Sequence, residues 1–116
     1  MKLTRSVLLV IVAGFADVFT MARAAAVAPE DALSLFSRFQ AWIGGAIRGE
    51  RMARQDFESA FGLAMARKDV RLMIEMAAGS PLAVLPGVAA RMDAAIAAGR
   101  GDDDVCAIGD PDLAAR

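Results

Sequence analysis

The fold is decided by residues 57–78, which read FESAFGLAMARKDVRLMIEMAA. With a helical period, this stretch places four apolar side chains on one stripe: Phe61, Met65, Leu72 and Met76. Lys68 lies inside that stripe, one turn from both Met65 and Leu72. An ammonium group among apolar neighbours is costly unless it is paired or used. Lys68 is therefore the first candidate functional residue.

The same stretch carries a second apolar stripe, made of Leu63, Ala66, Val70, Ile74 and Ala77. A helix that is apolar on two faces is predicted to lie sandwiched in the core. The helical period also predicts elements from Pro29 to about residue 42, from Pro86 to about residue 98, and around residues 105–108. Because no stretch alternates as a strand does, we predict an all-α fold with one long N-terminal helix and a bundle of four to five shorter helices.

The first 27 residues allow two interpretations. Lys2 and Arg5 precede an apolar run over residues 7–16, and small residues follow at 24–26, which is the outline of a secretory signal peptide. Asp17 interrupts the run, which is also too short to cross a membrane. The alternative is one long structural helix from Lys2 to about residue 27, ending before Pro29. Apolarity alone does not distinguish the signal peptide from the structural helix.

Glycine and proline predict the remaining boundaries. Gly44, Gly45 and Gly49 indicate a loose polar connection, whereas Gly99 should end the helix that begins at Pro86. The domain is expected to cover residues 1–109, and Asp110-Pro111 is expected to begin a disordered tail over residues 110–116.

Composition excludes several classes of function. A chain of 116 residues makes one domain at most, and its net charge of -1 gives no electrostatic footprint for nucleic acid. Without histidine there is no Ser-His-Asp triad and no imidazole base, so proton chemistry falls to Lys, Asp or Glu. Residues 102–104 are three aspartates, but the spacing of a calcium loop is missing, and we expect no metal. They are predicted instead to cap the last short helix.

Several fragments, in this order, resemble one enzyme family. Met1-Lys2-Leu3 resembles the start of the signature K-L-x-x-N, and Asp56-Phe57 with Phe61 resembles D-F-x-x-x-F. Lys68-Asp69 resembles the family's K-D pair, and residues 99–104 resemble its G-x-G-D-x-D turn. Together they are similar to the C-terminal helical domain of the NAD(P)-dependent β-hydroxyacid dehydrogenases, the 3-hydroxyisobutyrate dehydrogenase family. The fold implied is like the C-terminal domain of 6-phosphogluconate dehydrogenase.

The resemblance implies oxidation of a small 3-hydroxyacid with NAD or NADP as cofactor. It makes Lys2 the acid–base residue and Lys68 a cofactor-binding residue that reaches across the cleft from the helical domain. Ser6 stands where the family has asparagine, and is a candidate substrate-binding residue with fewer donors. No G-x-G-x-x-G fingerprint follows a strand, so the nucleotide-binding Rossmann domain is expected to be missing and the chain alone inactive.

Simpler interpretations remain for each candidate. Lys2 can be a solvated residue at a chain end, and Lys68 can lay its stem over the stripe and pair with Asp103 or Asp104. The chain can also be a non-catalytic helical module for dimerisation, or a small exported helical protein. The resemblance favours a cytoplasmic homodimer without nucleic-acid or membrane partners, because in that family the long helix packs against a partner subunit.

Overall fold

The computed structural model describes residues 2–34, 37 and 41–114, apart from the side chains of residues 41–45 and 114. Over these residues the named elements are all helical: α1 (Lys2–Ala24), α2 (Pro29–Ser34), α3 (Ala41–Ala53), α4 (Leu63–Met76), α5 (Leu85–Ala97), a 3-10 helix (Val105–Gly109) and α6 (Pro111–Ala114). One isolated bridge joins Gly62 and Asp104. The predicted all-α fold, with its long first helix and several shorter ones, is confirmed.

The core lies between α4 and α5. Its buried members are Leu63, Ala66 and Val70 from α4, Ala89, Met92 and Ala95 from α5, and Leu113 from α6. Four of these seven side chains are alanine or valine, so the two helices can approach closely. Across their exposed edge, Arg67 of α4 donates to Asp93 of α5 at 2.7 Å. The pair α4 and α5 is therefore the centre of the domain: α1 packs against α4, and the 3-10 helix packs against both.

The two apolar stripes of α4 differ in burial. The second stripe is buried as predicted, with Leu63 fully inaccessible and Ala77 only 1 % exposed. The first stripe is exposed, and Met65 keeps 60 % of its surface accessible and Leu72 47 %. The expectation of a sandwiched helix is therefore wrong within the described residues: one apolar face of α4 is uncovered, and Lys68 lies on it.

Three predicted boundaries are corrected. Helix α4 begins at Leu63 and not near residue 57, because residues 57–62 pair with the turn before the 3-10 helix. The glycines at 44, 45 and 49 do not break the chain but lie inside α3, which packs against the 3-10 helix. The start of the expected tail is ordered: α6 covers Pro111–Ala114, and burial of Leu113 in the core holds it. Residues 115 and 116 lie outside the described part.

Asp17 joins α1 to α5. It is only 2 % exposed, and its carboxylate accepts hydrogen bonds from the backbone N–H groups of Ala83, Val84 (2.9 Å) and Leu85 (2.8 Å). These donors lie directly before α5 and at its first residue, where backbone N–H groups have no acceptor within the helix. Burial alone would raise the pKa of the Asp17 carboxyl, but these hydrogen bonds outweigh it and lower the pKa below its usual value. An aspartate in α1 is thus the cap of α5.

Replacing Asp17 with alanine is expected to lower the free energy of unfolding by about 2 kcal/mol, because three backbone donors lose a buried charged acceptor. Urea unfolding followed by circular dichroism measures the change. The matched control is Asp31→Ala in the first turn of α2, where the carboxylate is exposed and should contribute less than about 1 kcal/mol. Equal losses in the two variants would contradict the capping role of Asp17.

The N-terminal half of α1 is uncovered. Residues 2–12 are all exposed, and Leu3 keeps 78 % of its surface accessible and Leu9 66 %. The apolar run of residues 7–16 was expected to be too short to cross a membrane, but α1 as a whole is long and apolar enough, a test of length and composition that core helices and signal sequences also pass. A groove of about 530 Å³ separates Leu9, Val10 and Ala13 of α1 from Val84 and Val88 of α5.

Candidate functional site

Two sequence motifs meet at the start of α4. The backbone N–H of Asp104 donates to the carbonyl of Phe57 at 2.9 Å, and that of Val105 donates to the carbonyl of Phe61 at 2.8 Å. The D-F-x-x-x-F segment and the G-x-G-D-x-D turn are therefore paired with each other. We call this pairing of residues 57–64 with residues 99–106 the motif junction.

Asp104 is the centre of the motif junction. It is 1 % exposed, and its carboxylate accepts hydrogen bonds from the backbone N–H groups of Ala60 (3.0 Å), Phe61 (2.8 Å) and Cys106 (2.9 Å). Burial acts to raise the pKa of the Asp104 carboxyl, but these donors outweigh it and hold the pKa far below its usual value. The predicted capping of the last short helix is confirmed for Asp104, which is the N-cap of the 3-10 helix.

Cys106 follows Asp104 into the core. Its side chain is fully buried, and burial together with the neighbouring Asp104 carboxylate raises the pKa of the Cys106 thiol to about 11. A thiol with so high a pKa is protonated at neutral pH and is a poor nucleophile. Cys106 is therefore a packing residue of the motif junction.

Two arginines neutralise the acidic side of the motif junction. Arg51 of α3 lies 3.4 Å from the Asp104 carboxylate and 3.6 Å from that of Asp56, and it donates to the carbonyl of Glu58. Arg100 donates to Asp103 at 2.9 Å, pairs with Asp110, and places its guanidinium 4.8 Å from the centre of the Phe57 ring. The carboxylates of Asp56, Asp103, Asp104 and Asp110 are therefore all paired with arginine.

Lys68 lies in the second turn of α4, so its predicted place inside a helix is confirmed. Its side chain is exposed, as are those of Met65, Leu72 and Met76 on α4 and of Phe61 directly before it, and we call these five residues the Lys68 face. Pairing of Lys68 with Asp103 or Asp104 was the simpler interpretation. The ion pairs of the described residues assign those carboxylates to Arg100 and Arg51 and none to Lys68.

Lys2 and Ser6 share one face of the first turns of α1. Lys2 is the first residue of the helix, as predicted, and both side chains are exposed. The Ser6 hydroxyl donates to the carbonyl of Leu3 at 2.7 Å, within its own helix. Among the described residues no hydrogen bond links Lys2, Ser6 and Lys68, so the three remain separate candidates on two helices that pack against each other.

Sequence reasoning missed two residues that position the site. Asp17 carried a signal, since an aspartate inside an apolar helix must find buried donors or reach water. The sequence alone does not show which donors Asp17 meets, since they lie 66 to 68 residues later. Arg51 carried no signal, because it stood in a stretch predicted to be a polar connection and its partners lie 5 and 53 residues away.

The chain was compared with known protein families and with curated proteins. The family described as "NAD-binding of NADP-dependent 3-hydroxyisobutyrate dehydrogenase" matches residues 1–110. No curated protein matches the chain. The matched range includes α1, the motif junction and the Lys68 face.

Proposed function

This chain belongs to the NAD-binding domain family of NADP-dependent 3-hydroxyisobutyrate dehydrogenase, and on that premise we propose that it completes the active site of an enzyme that oxidises a small 3-hydroxyacid. The family supports an NAD(P)-dependent oxidoreductase and NAD or NADP as its cofactor. The observation that carries the finer proposal is the Lys68 face, an uncovered apolar surface with an unpaired cation within the described part of the chain.

The chemistry of the Lys68 face fits a nicotinamide dinucleotide. Such a cofactor carries anionic phosphates beside flat aromatic rings, and the ammonium group of Lys68 can donate charged hydrogen bonds to a phosphate. Met65, one helical turn before Lys68, is 60 % exposed, and Phe61, in the segment directly before α4, is 36 % exposed, so apolar surface is available on α4 and at its start. Lys68 would hold a phosphate or ribose edge of the cofactor, with Phe61 and Met65 against its rings.

Lys2 is the residue proposed for acid–base chemistry. When bound, the cofactor supplies the hydride acceptor, and the protein must move the hydroxyl proton of the substrate. A lysine amine serves as that base when its surroundings favour the neutral form, and it returns the proton in the reverse reaction. Lys2 begins α1 with an exposed side chain, so it is free to face a second domain. Ser6, one turn later on the same face, would contact the substrate.

The proposed activity depends on a nucleotide-binding domain. The 116 residues contain no glycine fingerprint after a strand, which is the element that holds the pyrophosphate at a helix N-terminus. We therefore expect this chain alone to bind NAD(P) weakly and to oxidise no hydroxyacid. A family nucleotide-binding domain fused before Met1 should restore turnover of 3-hydroxyisobutyrate or a related small hydroxyacid, measured as NADH or NADPH formation.

In that fusion, replacing Lys68 with alanine is expected to raise the KM for NAD(P) about tenfold and to change kcat less, because a charged phosphate contact is lost while the proton-moving residue stays. The melting temperature should not change, since the Lys68 side chain is exposed. Arg54→Ala is the control: Arg54 is an exposed cation directly after α3 that pairs with Glu50. If Lys68→Ala leaves the KM unchanged, Lys68 does not bind the cofactor.

The uncovered half of α1 supports a homodimer. Leu3, Leu8, Leu9 and Val10 each keep more than half of their surface exposed, and monomeric proteins seldom leave so continuous an apolar surface uncovered. We propose that a second copy buries one side of α1. We also propose a cytoplasmic location, since removal of α1 as a leader would take away the Asp17 carboxylate that caps α5.

A further inference from the structure

We infer that Asp104 is a positioning residue for Lys68: it fixes the start of α4 and thereby the place of the Lys68 ammonium at the cofactor. The inference rests on the proposed function, and it adds a residue that cannot itself touch a ligand. Asp104 is 1 % exposed, so any influence it has on the cofactor must pass through the backbone that it holds.

The first step is the contact of Asp104 with the chain just before α4. One carboxylate oxygen accepts the N–H groups of Ala60 and Phe61, which lie 44 and 43 residues away in sequence. Its backbone N–H donates to the carbonyl of Phe57. The chain that enters α4 is therefore held on Asp104 at three backbone groups. Such hydrogen bonds to a charged group are stronger than those between neutral groups.

The second step is the capping of α4 by the same turn. Gly62, the N-cap of α4, provides no side-chain cap, so the free N–H groups of the first turn need other acceptors. The N–H of Leu63 donates to the carbonyl of Asp103 at 2.8 Å, and that of Ala64 donates to the carbonyl of Gly101 at 3.0 Å. The turn that ends in Asp104 thus sets where α4 begins.

The third step connects the helix start to Lys68. Lys68 follows Leu63 by five residues, or about 7.5 Å along a continuous helix. Within the described residues no ion pair or side-chain hydrogen bond holds the Lys68 side chain, so its place depends on the helix backbone alone. A shift or fraying of the first turn would therefore move the ammonium group, whereas a firm first turn keeps it in place for a phosphate.

The test is a double-mutant cycle in the fused two-domain enzyme, with Asp104→Asn and Lys68→Ala made singly and together. Asparagine keeps one acceptor oxygen, but it loses the charge and turns an amide N–H₂ toward the donors. If Asp104 acts through Lys68, Asp104→Asn should raise the KM for NAD(P) about fivefold when Lys68 is present and leave it unchanged in the Lys68→Ala background. Asp102→Asn, an exposed neighbour in the same turn, is the control and should leave the KM unchanged.

If Asp104→Asn acted only through a general loss of structure, it would raise the KM for NAD(P) by the same factor with Lys68 present and with Lys68→Ala. That additive result would overturn the inference while leaving the proposed function intact. If the wild-type fusion is inactive, or Lys68→Ala does not change the KM, the proposed function fails and the inference fails with it. Should Asp104→Asn not fold, Arg51→Met serves in its place, because Arg51 lies 3.4 Å from the Asp104 carboxylate. It should give a smaller rise in KM that also disappears without Lys68.

Discussion

Replacing Lys2 with alanine in a two-domain enzyme is expected to lower kcat for hydroxyacid oxidation on the order of a thousandfold. The reason is that the substrate hydroxyl must lose its proton as hydride leaves, and the chain has no histidine to take it. The KM for NAD(P) should change little, since cofactor contacts are assigned to another helix. Steady-state kinetics with 3-hydroxyisobutyrate, glycerate and similar acids measure both constants.

The control for Lys2 is Arg5→Ala, which removes an exposed cation one turn further along α1. Arg5→Ala should keep most of its turnover if catalysis needs the Lys2 amine itself. It should lose turnover if catalysis needs only positive charge at this end of α1. Both variants should melt like the parent protein, because both side chains are exposed. A fusion that retained full kcat after Lys2→Ala would show that the proton is moved by another group.

The second large effect is expected at Asp104. Asp104→Ala should lower the free energy of unfolding by about 3 kcal/mol or more, because three backbone donors and the Arg51 guanidinium lose a buried acceptor. Asp102→Ala, in the same turn but exposed, should change the free energy by less than about 0.5 kcal/mol. Urea unfolding of the two variants at neutral pH makes the comparison. A loss at Asp104 as small as that at Asp102 would contradict the central role of this carboxylate.

The contribution of Asp104 to the free energy of unfolding should decrease in acid. Its pKa is lowered in the folded chain, so the charged carboxylate stabilises the fold fully above its unfolded pKa of about 3.9. As the pH falls below that value, the unfolded chain takes up a proton first and the stabilisation declines. The difference in unfolding free energy between the parent and Asp104→Asn should therefore be largest near neutral pH and shrink toward pH 2. A difference that grew in acid would contradict the lowered pKa.

The helical period predicted the buried stripe of α4 because Leu63, Ala66, Val70 and Ala77 recur at the spacing of a helix face. It did not predict that the stripe with Phe61 and Met65 would be uncovered, since a pattern shows that a face is apolar but not what covers it. The start of α4 was misplaced for a related reason. The pairing of residues 57–62 depends on a turn more than 40 residues later, and local propensity cannot detect such a partner.

The candidate site was predictable in part. Lys68 was found because a cation inside an apolar stripe is unusual, and the structure places it on α4 as expected. The roles of Lys2 and Ser6 remain predictions that follow from the family. The prediction of a loose connection at the glycines of α3 was wrong. Three glycines in six residues favour a turn by propensity, but packing of α3 on the 3-10 helix outweighs a cost of about 1 kcal/mol per glycine.

The bond between Asp17 and the start of α5 has a consequence for synthesis on the ribosome. Ala83, the first of the donors to Asp17, lies 66 residues after it, so α1 is made long before its partner exists. At a synthesis rate of 5 to 20 residues per second, about 3 to 13 s pass before α1 can dock on the start of α5. During that interval its carboxylate has no donor from α5, and the part of its apolar surface that faces α5 is accessible. We therefore expect nascent chains that end before residue 83 to be held by ribosome-associated chaperones, and chains extended past α5 to be released.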